Sequence, residues 1–249
     1  MAQQILDLGD APNDGDGEPL RQGGEKINAN FTELYTANDA LNEDLAELAA
    51  RVEYGATGGM AITSFSVSPT VFEKGVPTTI IASYSLTRNP TDQDINGYHL
   101  PDPANARGNT YNGVTDTLAL TLHVVDANAP AGTQGSDTKS ATATALQRRY
   151  WGIADAAALV DAEVRGLAGS ELSGSRAKSF TAAAGASPGK YVYLAYPASM
   201  GDPTSYKING YNEAPVKTTV TVTTPAGPVS YTVLRSANKL INNPFVEVA

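Results

Sequence analysis

The amino-acid sequence predicts a mostly β protein with an N-terminal α-helix, in which a coiled coil is followed by two β-sandwich-like modules. Two patterns carry this fold class. Apolar residues recur with a heptad period between residues 27 and 54, which is typical of a coiled-coil helix. From about residue 62 onward, short β-type runs are separated by Gly, Pro, Asn and Asp. Residues 1–26 differ from both regions, because they are rich in Gly and Asp.

The composition limits the classes of function. The chain has 249 residues, no cysteine and a formal net charge of −9. Without cysteine there are no disulfides, thiolate zinc sites or cysteine nucleophiles. The negative charge disfavours nucleic acid as a partner, because phosphate binding depends on Lys and Arg. No apolar run approaches the roughly 20 residues of a membrane-spanning helix, and the first residues lack the features of a secretory signal. We therefore expect no membrane insertion.

The helical region, residues 27–54, has one apolar face. Its apolar residues follow one another in steps of four and three residues once Asn38 is placed in the series. The a positions are Phe31, Asn38, Leu45 and Val52, and the d positions are Ile27, Leu34, Leu41 and Leu48. A lone Asn at an a position is a device that fixes the register and strand number of a coil at a cost in stability.

Two structures are compatible with this helix. It is either a coiled coil formed with copies of itself or an amphipathic helix packed on its own domain. The strict period of 3.5 residues and the lone Asn38 favour the coil. About 26 residues at about 1.5 Å each would give a rod of roughly 40 Å. The glycine-rich residues 55–59 are then expected to end the helix and to act as a short flexible joint.

The β-type region divides into two modules. Residues 62–126 are predicted to form an antiparallel sandwich, since Ile80, Ala82 and Tyr84 alternate with polar or small residues and Asn96-Gly97 and Asn112-Gly113 are hairpin-type pairs. Residues 127–145 are rich in Ala, Gly, Thr and Ser and are interpreted as a linker or a long loop. Residues 146–249 form a second β module, with a short helix capped by Asp155. Its strands are predicted at residues 191–196, 216–223, 229–234 and 244–248.

The sequence offers little for catalysis or metal binding. There are two histidines, His99 and His123, without metal-ligand spacing, and no nucleophile-elbow sequence. We therefore predict no enzyme, no catalytic residue, no metal ligand and no cofactor. The segment from Asn13 to Glu18 resembles part of a calcium loop but lacks the full ligand series, so a tight turn is the simpler interpretation. Tyrosines of the C-terminal module would suit sugar stacking, although strand tyrosines are more often packing residues.

The N-terminal region resembles the start of many bacteriophage tail-fibre and virion structural proteins. The resemblance covers about 35 residues: a Pro/Asp/Gly-rich opening, the Leu20-Arg21 pair and the element from Lys26 to Phe31 that leads into a helix. It implies a homotrimer whose N-terminal end attaches to the particle and whose distal end is exposed. It also implies an immunoglobulin-like middle module and a C-terminal β module of the kind found in such fibres. The residues implied in particle attachment are Asp10, Pro12, Asp14, Asp16, Leu20 and Arg21.

Three functions follow as hypotheses. The first is a virion structural protein, a short fibre, spike or adaptor subunit, because the chain is short and has no β-helical shaft. It would be made in the host cytoplasm, released by lysis and joined to other proteins of the tail, baseplate, neck or head. The second is a receptor-binding protein that recognises a bacterial surface glycan through the C-terminal module. The third, a polysaccharide depolymerase, is disfavoured by the scarcity of histidine and the small modules.

Overall fold

The computed structural model of the protein describes residues 5–7, 15, 17, 19–56, 59–99 and 107–249. Most of its regular structure is β-strand, with one long helix near the N-terminus, which confirms the mostly β class. The described residues group into two compact units. The first holds the long helix together with Thr87–Asp92 and Val124–Asp137, and the second holds Ile62–Leu86, Gln93–His123 and Thr138–Ala249.

The long helix, α1, runs from Leu20 to Ala56 and contains 37 residues. It begins seven residues before the predicted start. Pro19 lies immediately before the first turn, where proline is well tolerated, and its carbonyl accepts the Gly23 amide at 3.1 Å. Leu6 lies against Gly23, where a Cβ would meet its Cδ2 at 2.8 Å. Lys26 Nζ donates to the Ile5 carbonyl at 3.1 Å. Residues 5–7 therefore pack along the first turns of α1.

In the middle of the chain, the described residues form eight strands in two sheets. They are β1 (Ile62–Ser68), β2 (Val71–Glu73), β3 (Thr78–Leu86), β4 (Asp92–Ile95), β5 (Tyr98–His99), β6 (Gly108–Val114), β7 (Leu118–Val125) and β8 (Ser136–Leu146). The first sheet has the antiparallel order β1-β3-β6, and the second has the order β2-β8-β7-β4-β5 with β2 parallel to β8.

The predicted alternation of buried and exposed residues is confirmed in both sheets. Ile80, Ala82 and Tyr84 are buried on β3, and Leu120, Leu122 and Val124 are buried on β7. The buried Tyr84 hydroxyl donates to Gln93 Oε1 at 2.5 Å and so joins β3 to β4. Asn96 and Gly97 both have positive φ and make the β4–β5 hairpin, as their sequence predicts.

Two expectations for this region are wrong. Residues 127–145 are not a linker or loop throughout, because β8 occupies residues 136–146 in the middle of a sheet and Ala143 is fully buried. Threonine favours strands, but alternating Thr and Ala give too little hydrophobic contrast to reveal one. The module therefore extends beyond residue 126. Asn112 and Gly113 lie inside β6 and do not form a hairpin turn, although Gly113 does have a positive φ of 68°.

The C-terminal module also has two sheets, and the four predicted strand runs are confirmed. Its elements are β9 (Arg148–Ala154), α2 (Asp161–Arg165), β10 (Gly169–Leu172), β11 (Lys178–Thr181), β12 (Gly185–Pro197), a 3-10 turn (Ala198–Met200), β13 (Tyr206–Ile208), β14 (Tyr211–Asn212), β15 (Val216–Thr224), β16 (Gly227–Arg235), β17 (Leu240–Asn242) and β18 (Phe245–Val248). The larger sheet has the order β10-β9-β12-β16-β15, with β17 paired to β12, and the smaller has the order β11-β18-β13-β14.

The larger sheet is covered on both faces. On one face Val192, Leu194 and Tyr196 share a buried cluster with the smaller sheet, including Tyr206 and Val246. The other face is covered by α2 and its flanking residues, among them Leu159 and Val164, which pack with Tyr193 and Tyr231. The module is thus a two-layer β structure with one short helix on its outside.

The short helix starts later than predicted. Asp155 does not cap it but lies 3.4 Å from Lys239 Nζ. The N-cap residue is Val160, and its amide donates to Glu163 Oε2 at 2.9 Å. Within the helix, Asp161 accepts from Arg165 at 2.8 Å and from the Thr223 amide at 3.1 Å, so its carboxylate fastens α2 to β15.

Candidate assembly site

The apolar face predicted for the helix is exposed to solvent in the single chain. We call this set of side chains the seam: Ile27, Phe31, Leu34, Leu41, Leu45, Leu48 and Val52. Each of them is between 41% and 63% exposed. A folded monomer rarely leaves so long an apolar row in water, and such exposed surfaces mark interaction sites. All seven lie on one continuous helix, so the predicted register of four and three residues is preserved in space.

Two further residues belong to this face. Asn38 occupies its predicted place in the series and is exposed. Tyr35, which the heptad assignment left out, stacks on Phe31 with ring centroids 6.4 Å apart and is 66% exposed. The aromatic pair widens the seam by one position near its N-terminal end.

The C-terminal end of α1 is held by a cluster that the sequence did not reveal. Tyr54 is only 7% exposed, and the guanidinium of Arg88 lies 3.7 Å from its ring centroid. The Tyr54 hydroxyl lies 3.1 Å from Asp126 Oδ2 and 3.3 Å from the Gln134 carbonyl. The fully buried Met60 donates its amide to the same carbonyl at 2.9 Å. We call Met60, Arg88, Asp126 and Gln134 the collar.

The collar and the seam occupy different faces of the helix. At about 100° per residue, Tyr54 lies about 160° around the helix from Val52. Arg51 also faces the collar segment, because a Cβ on Gly132 would meet its Nη2 at 3.1 Å. The contacts within the first unit therefore grip the face of α1 that carries Tyr54. They leave Leu48 and Val52 exposed at the end of the seam.

The joint expected at residues 55–59 is more restrained than predicted. The helix continues through Ala56, and Gly59 has a positive φ of 64° and donates its amide to the Tyr54 carbonyl at 3.3 Å. The Gly59 carbonyl in turn accepts from the Thr87 hydroxyl at 2.6 Å. The described residues on both sides of positions 57 and 58 are thus tied to one packed cluster, since Tyr54 and Met60 both meet Gln134.

The predicted attachment residues are described only in part. Asp10, Pro12, Asp14 and Asp16 lie outside the described residues, as does most of the segment from Asn13 to Glu18. Leu20 is the first residue of α1. Arg21 is exposed, and its Nε lies 3.3 Å from Glu25 Oε1 one turn along the helix. The role of these residues in particle attachment stays a prediction.

The tyrosines considered for sugar stacking are mostly core residues. Tyr150, Tyr193, Tyr196, Tyr206 and Tyr231 are all buried. Burial raises the pKa of Tyr196 to about 12, with the nearby Asp202 charge adding to the effect. Tyr211 is 77% exposed on the β13–β14 hairpin, and Tyr191 is half-buried with the Arg235 guanidinium over its ring. Among these tyrosines, Tyr211 therefore offers the ring that is most open to stacking on a ligand.

The collar residues were missed because they come from three separate segments of the chain. Arg88, Asp126 and Gln134 are polar residues in loop-like sequence, and nothing in their spacing joins them. One signal was present: Tyr54 is a large aromatic residue two positions after the last seam residue, on a helix face that otherwise carries polar side chains. An isolated aromatic on a polar helix face marks a second contact surface.

Comparison with known proteins agrees with the resemblance at the N-terminus. Residues 3–74 match the family model described as Bacteriophage T4 gp9/10-like protein, N-terminal. The matched segment includes α1 and the start of the first β module, less than a third of the chain, and points to a phage tail-fibre or other structural protein. No curated protein was found to match the chain. Among the described residues, neither helix is long and apolar enough to span a membrane.

Proposed function

We propose that this protein is a structural subunit of a phage virion, a short fibre, spike or adaptor that attaches through residues 1–26 and trimerises through α1. The family match at residues 3–74 supports the virion setting and association with other virion proteins. In this role the chain needs no catalytic group, and we propose that it is not an enzyme. A reducing-end assay on host polysaccharide checks that point, because a depolymerase would release new ends.

The observation that supports trimerisation is that α1 has two different faces, one buried against the collar and one exposed. If the helix packed on its own domain, its apolar seam would turn toward the collar. Instead Tyr54 is buried there and the seam is exposed. The seam is best covered by the seams of other copies of the chain, because a heptad row of apolar side chains packs against copies of itself. Burial is worth roughly 1.5–3 kcal/mol for each such side chain, and the entropy of ordering the assembly offsets part of it.

The number of helices proposed for the coil rests on the family resemblance and on Asn38. The heptad pattern alone is compatible with a coil of two or more helices. The resemblance of the N-terminal region to phage fibre proteins implies a trimer. In a parallel trimer the three Asn38 amides would meet in one layer and pair with one another, which penalises shifted registers. We propose an immunoglobulin-like fold for the middle module, supported by its two β-sheets joined through Tyr84 and Gln93.

Glycan recognition by the C-terminal module is the second candidate function. The burial of most of its tyrosines argues against a broad aromatic platform, and the exposed Tyr211 favours a single local site. This candidate adds to the structural role and does not replace it, because a particle-bound appendage presents its distal module to the surroundings.

Reconstitution of particles tests the attachment. Phage particles made without this protein would be mixed with the full chain or with a chain that lacks residues 1–18, which keeps Pro19 and all of α1. We expect the full chain to sediment with the particles and the shortened chain to stay in the supernatant as an intact trimer. Equal binding of both chains would show that residues 1–18 are not needed for attachment, and no binding of either would refute the virion role.

A further inference from the structure

The middle and C-terminal β modules are joined without a flexible linker. β8 ends at Leu146 and β9 begins at Arg148, so Gln147 is the one residue between the two strands. The Lys74 amide donates to the Leu146 carbonyl at 3.0 Å. On the C-terminal side, the Ser173 amide donates to the Gln147 carbonyl at 3.2 Å. Modules on a free linker move relative to one another, whereas this connection is hydrogen-bonded to both modules.

An ion pair crosses the junction. The Glu73 carboxylate, at the end of β2, accepts from Arg148 Nε and from Arg148 Nη2, each at 2.8 Å. An arginine that meets a carboxylate through two nitrogens fixes orientation as well as distance. The Arg148 carbonyl accepts from the hydroxyl of the buried Tyr231 at 2.7 Å. Arg148 is therefore anchored in the C-terminal module while its guanidinium holds the middle module.

A second contact joins two turns, one from each module. Gly75 follows β2 with a positive φ of 87°, and its amide donates to the Thr115 carbonyl at 2.8 Å. A Cβ on Gly75 would collide with the backbone of Pro225 and Ala226, which form the turn between β15 and β16. The two turns thus touch backbone to backbone, and only glycine fits there. A rotation about residue 147 would have to break this contact as well as the ion pair.

We propose that the middle and C-terminal β modules act as one rigid body, held together by the Glu73–Arg148 ion pair and by the backbone contact of Gly75. A load on the C-terminal module would then reach the middle module without a bend at residue 147. The two modules would also unfold together, since neither opens without losing contacts to the other. The inference goes beyond the proposed function and does not depend on assembly through α1, because all of these contacts lie in the second compact unit of one chain.

Hydrogen exchange of the full chain in urea, followed by mass spectrometry, tests the coupling. Peptides that cover β3 report on the middle module, and peptides that cover β12 report on the C-terminal module. In the unchanged protein both should lose protection at the same urea concentration. Gly75→Ala forces the two turns apart, and we expect the two midpoints to separate by on the order of 0.5 M urea. Glu73→Gln removes the charge at nearly constant size and should separate them as well.

Gly210→Ala is the matched control. Gly210 has nearly the same backbone conformation, with a φ of 84°, but apart from its chain neighbours no described atom lies within 4 Å of a Cβ placed there. The strain of this substitution is confined to the β13–β14 hairpin of the C-terminal module. In a coupled protein both midpoints should therefore fall together.

Two outcomes would overturn the proposal. Midpoints that already differ in the unchanged protein would show that the modules open independently. Midpoints that stay together in both Gly75→Ala and Glu73→Gln would show that these contacts do not hold the junction. Neither outcome would bear on the trimer, which light scattering of the same samples reports separately.

Discussion

The guanidinium of Arg88 lies 3.7 Å from the centre of the Tyr54 ring, and this contact fixes which face of α1 is covered. A cation above an aromatic face contributes about 0.5–2 kcal/mol, more when the pair is removed from water. Because Tyr54 is turned toward Arg88, the seam is turned away from the collar. The exposure of the seam is thus a consequence of how the end of the helix is fastened.

The Tyr54 hydroxyl should contribute measurably to stability. Tyr54→Phe keeps the ring beside Arg88 but removes the hydrogen bond to Asp126 or Gln134, and we expect a loss of about 1–2 kcal/mol in the free energy of unfolding. The measurement is urea denaturation at a fixed protein concentration. Tyr211→Phe is the matched control, because its ring is 77% exposed and lies outside α1, and it should change stability by no more than about 0.5 kcal/mol. Equal effects of the two variants would contradict the collar contact.

The seam should be sensitive to a polar side chain where other helix faces are not. Leu45→Asn replaces a buried apolar side chain of the proposed coil by an amide, with an expected cost of roughly 2–3 kcal/mol in each chain. Sedimentation equilibrium should show dissociation at micromolar concentration. Glu43→Asn, two residues away on an outward position of the heptad, should leave the assembly intact. Dissociation by both variants, or by neither, would speak against the assigned seam.

Truncation should separate the roles of the seam and of Tyr54. A chain that lacks residues 1–50 keeps Tyr54 in the collar and should be a folded monomer. A chain that lacks residues 1–54 loses that side chain and leaves Arg88 without its ring contact and Asp126 without the Tyr54 hydroxyl, so it should unfold at a lower temperature. Thermal denaturation followed by circular dichroism compares the two. Equal midpoints would show that Tyr54 is dispensable, and loss of β structure in both would show that the modules need the helix.

Acid should weaken the attachment of α2 to β15. Hydrogen bonds from Arg165 and Thr223 lower the pKa of Asp161 to about 2, compared with about 3.9 in an unfolded chain. A carboxylate with a lowered pKa stabilises the fold above its unfolded pKa, and the contribution is lost as the pH falls from about 4 through about 2. Asp161→Asn should therefore be less stable than the unchanged protein at pH 7 and equal to it near pH 2, in urea denaturation. A constant difference across this range would contradict the assignment.

A second acid-sensitive site lies nearby in the same module. Burial opposes the charged form of Glu171, but hydrogen bonds from Arg149 and Lys178 together lower its pKa. Arg149 Nε meets Glu171 Oε1 at 2.6 Å, and Lys178 Nζ lies 3.1 Å from both carboxylate oxygens. Its stabilising contribution is lost in the same direction as that of Asp161, so both carboxylates add to a loss of stability on acidification.

The sequence predicts local features of this protein far better than long-range ones. The register of α1 follows from Ile27 to Val52 because a helix repeats at a fixed period, and the buried face of β3 follows from strict alternation at Ile80, Ala82 and Tyr84. The β8 strand was missed because its small residues hide the alternation, and Asn112-Gly113 was misread because a positive φ at Gly113 also fits inside a strand.

The collar could not be predicted from local periodicity, for a different reason. Arg88, Asp126 and Gln134 meet only after the β modules have folded, and each is an ordinary polar residue of an irregular segment. The role of each of these side chains therefore depends on partners that are distant in sequence.

The mass of the purified full chain in solution tests the central claim most directly. Light scattering coupled to size exclusion, at micromolar protein concentration, should give three times the mass of one chain, because the exposed seam is then covered by two further copies. A mass equal to one chain would contradict the account, since Leu34, Leu41, Leu45 and their neighbours would then stay in water without a partner.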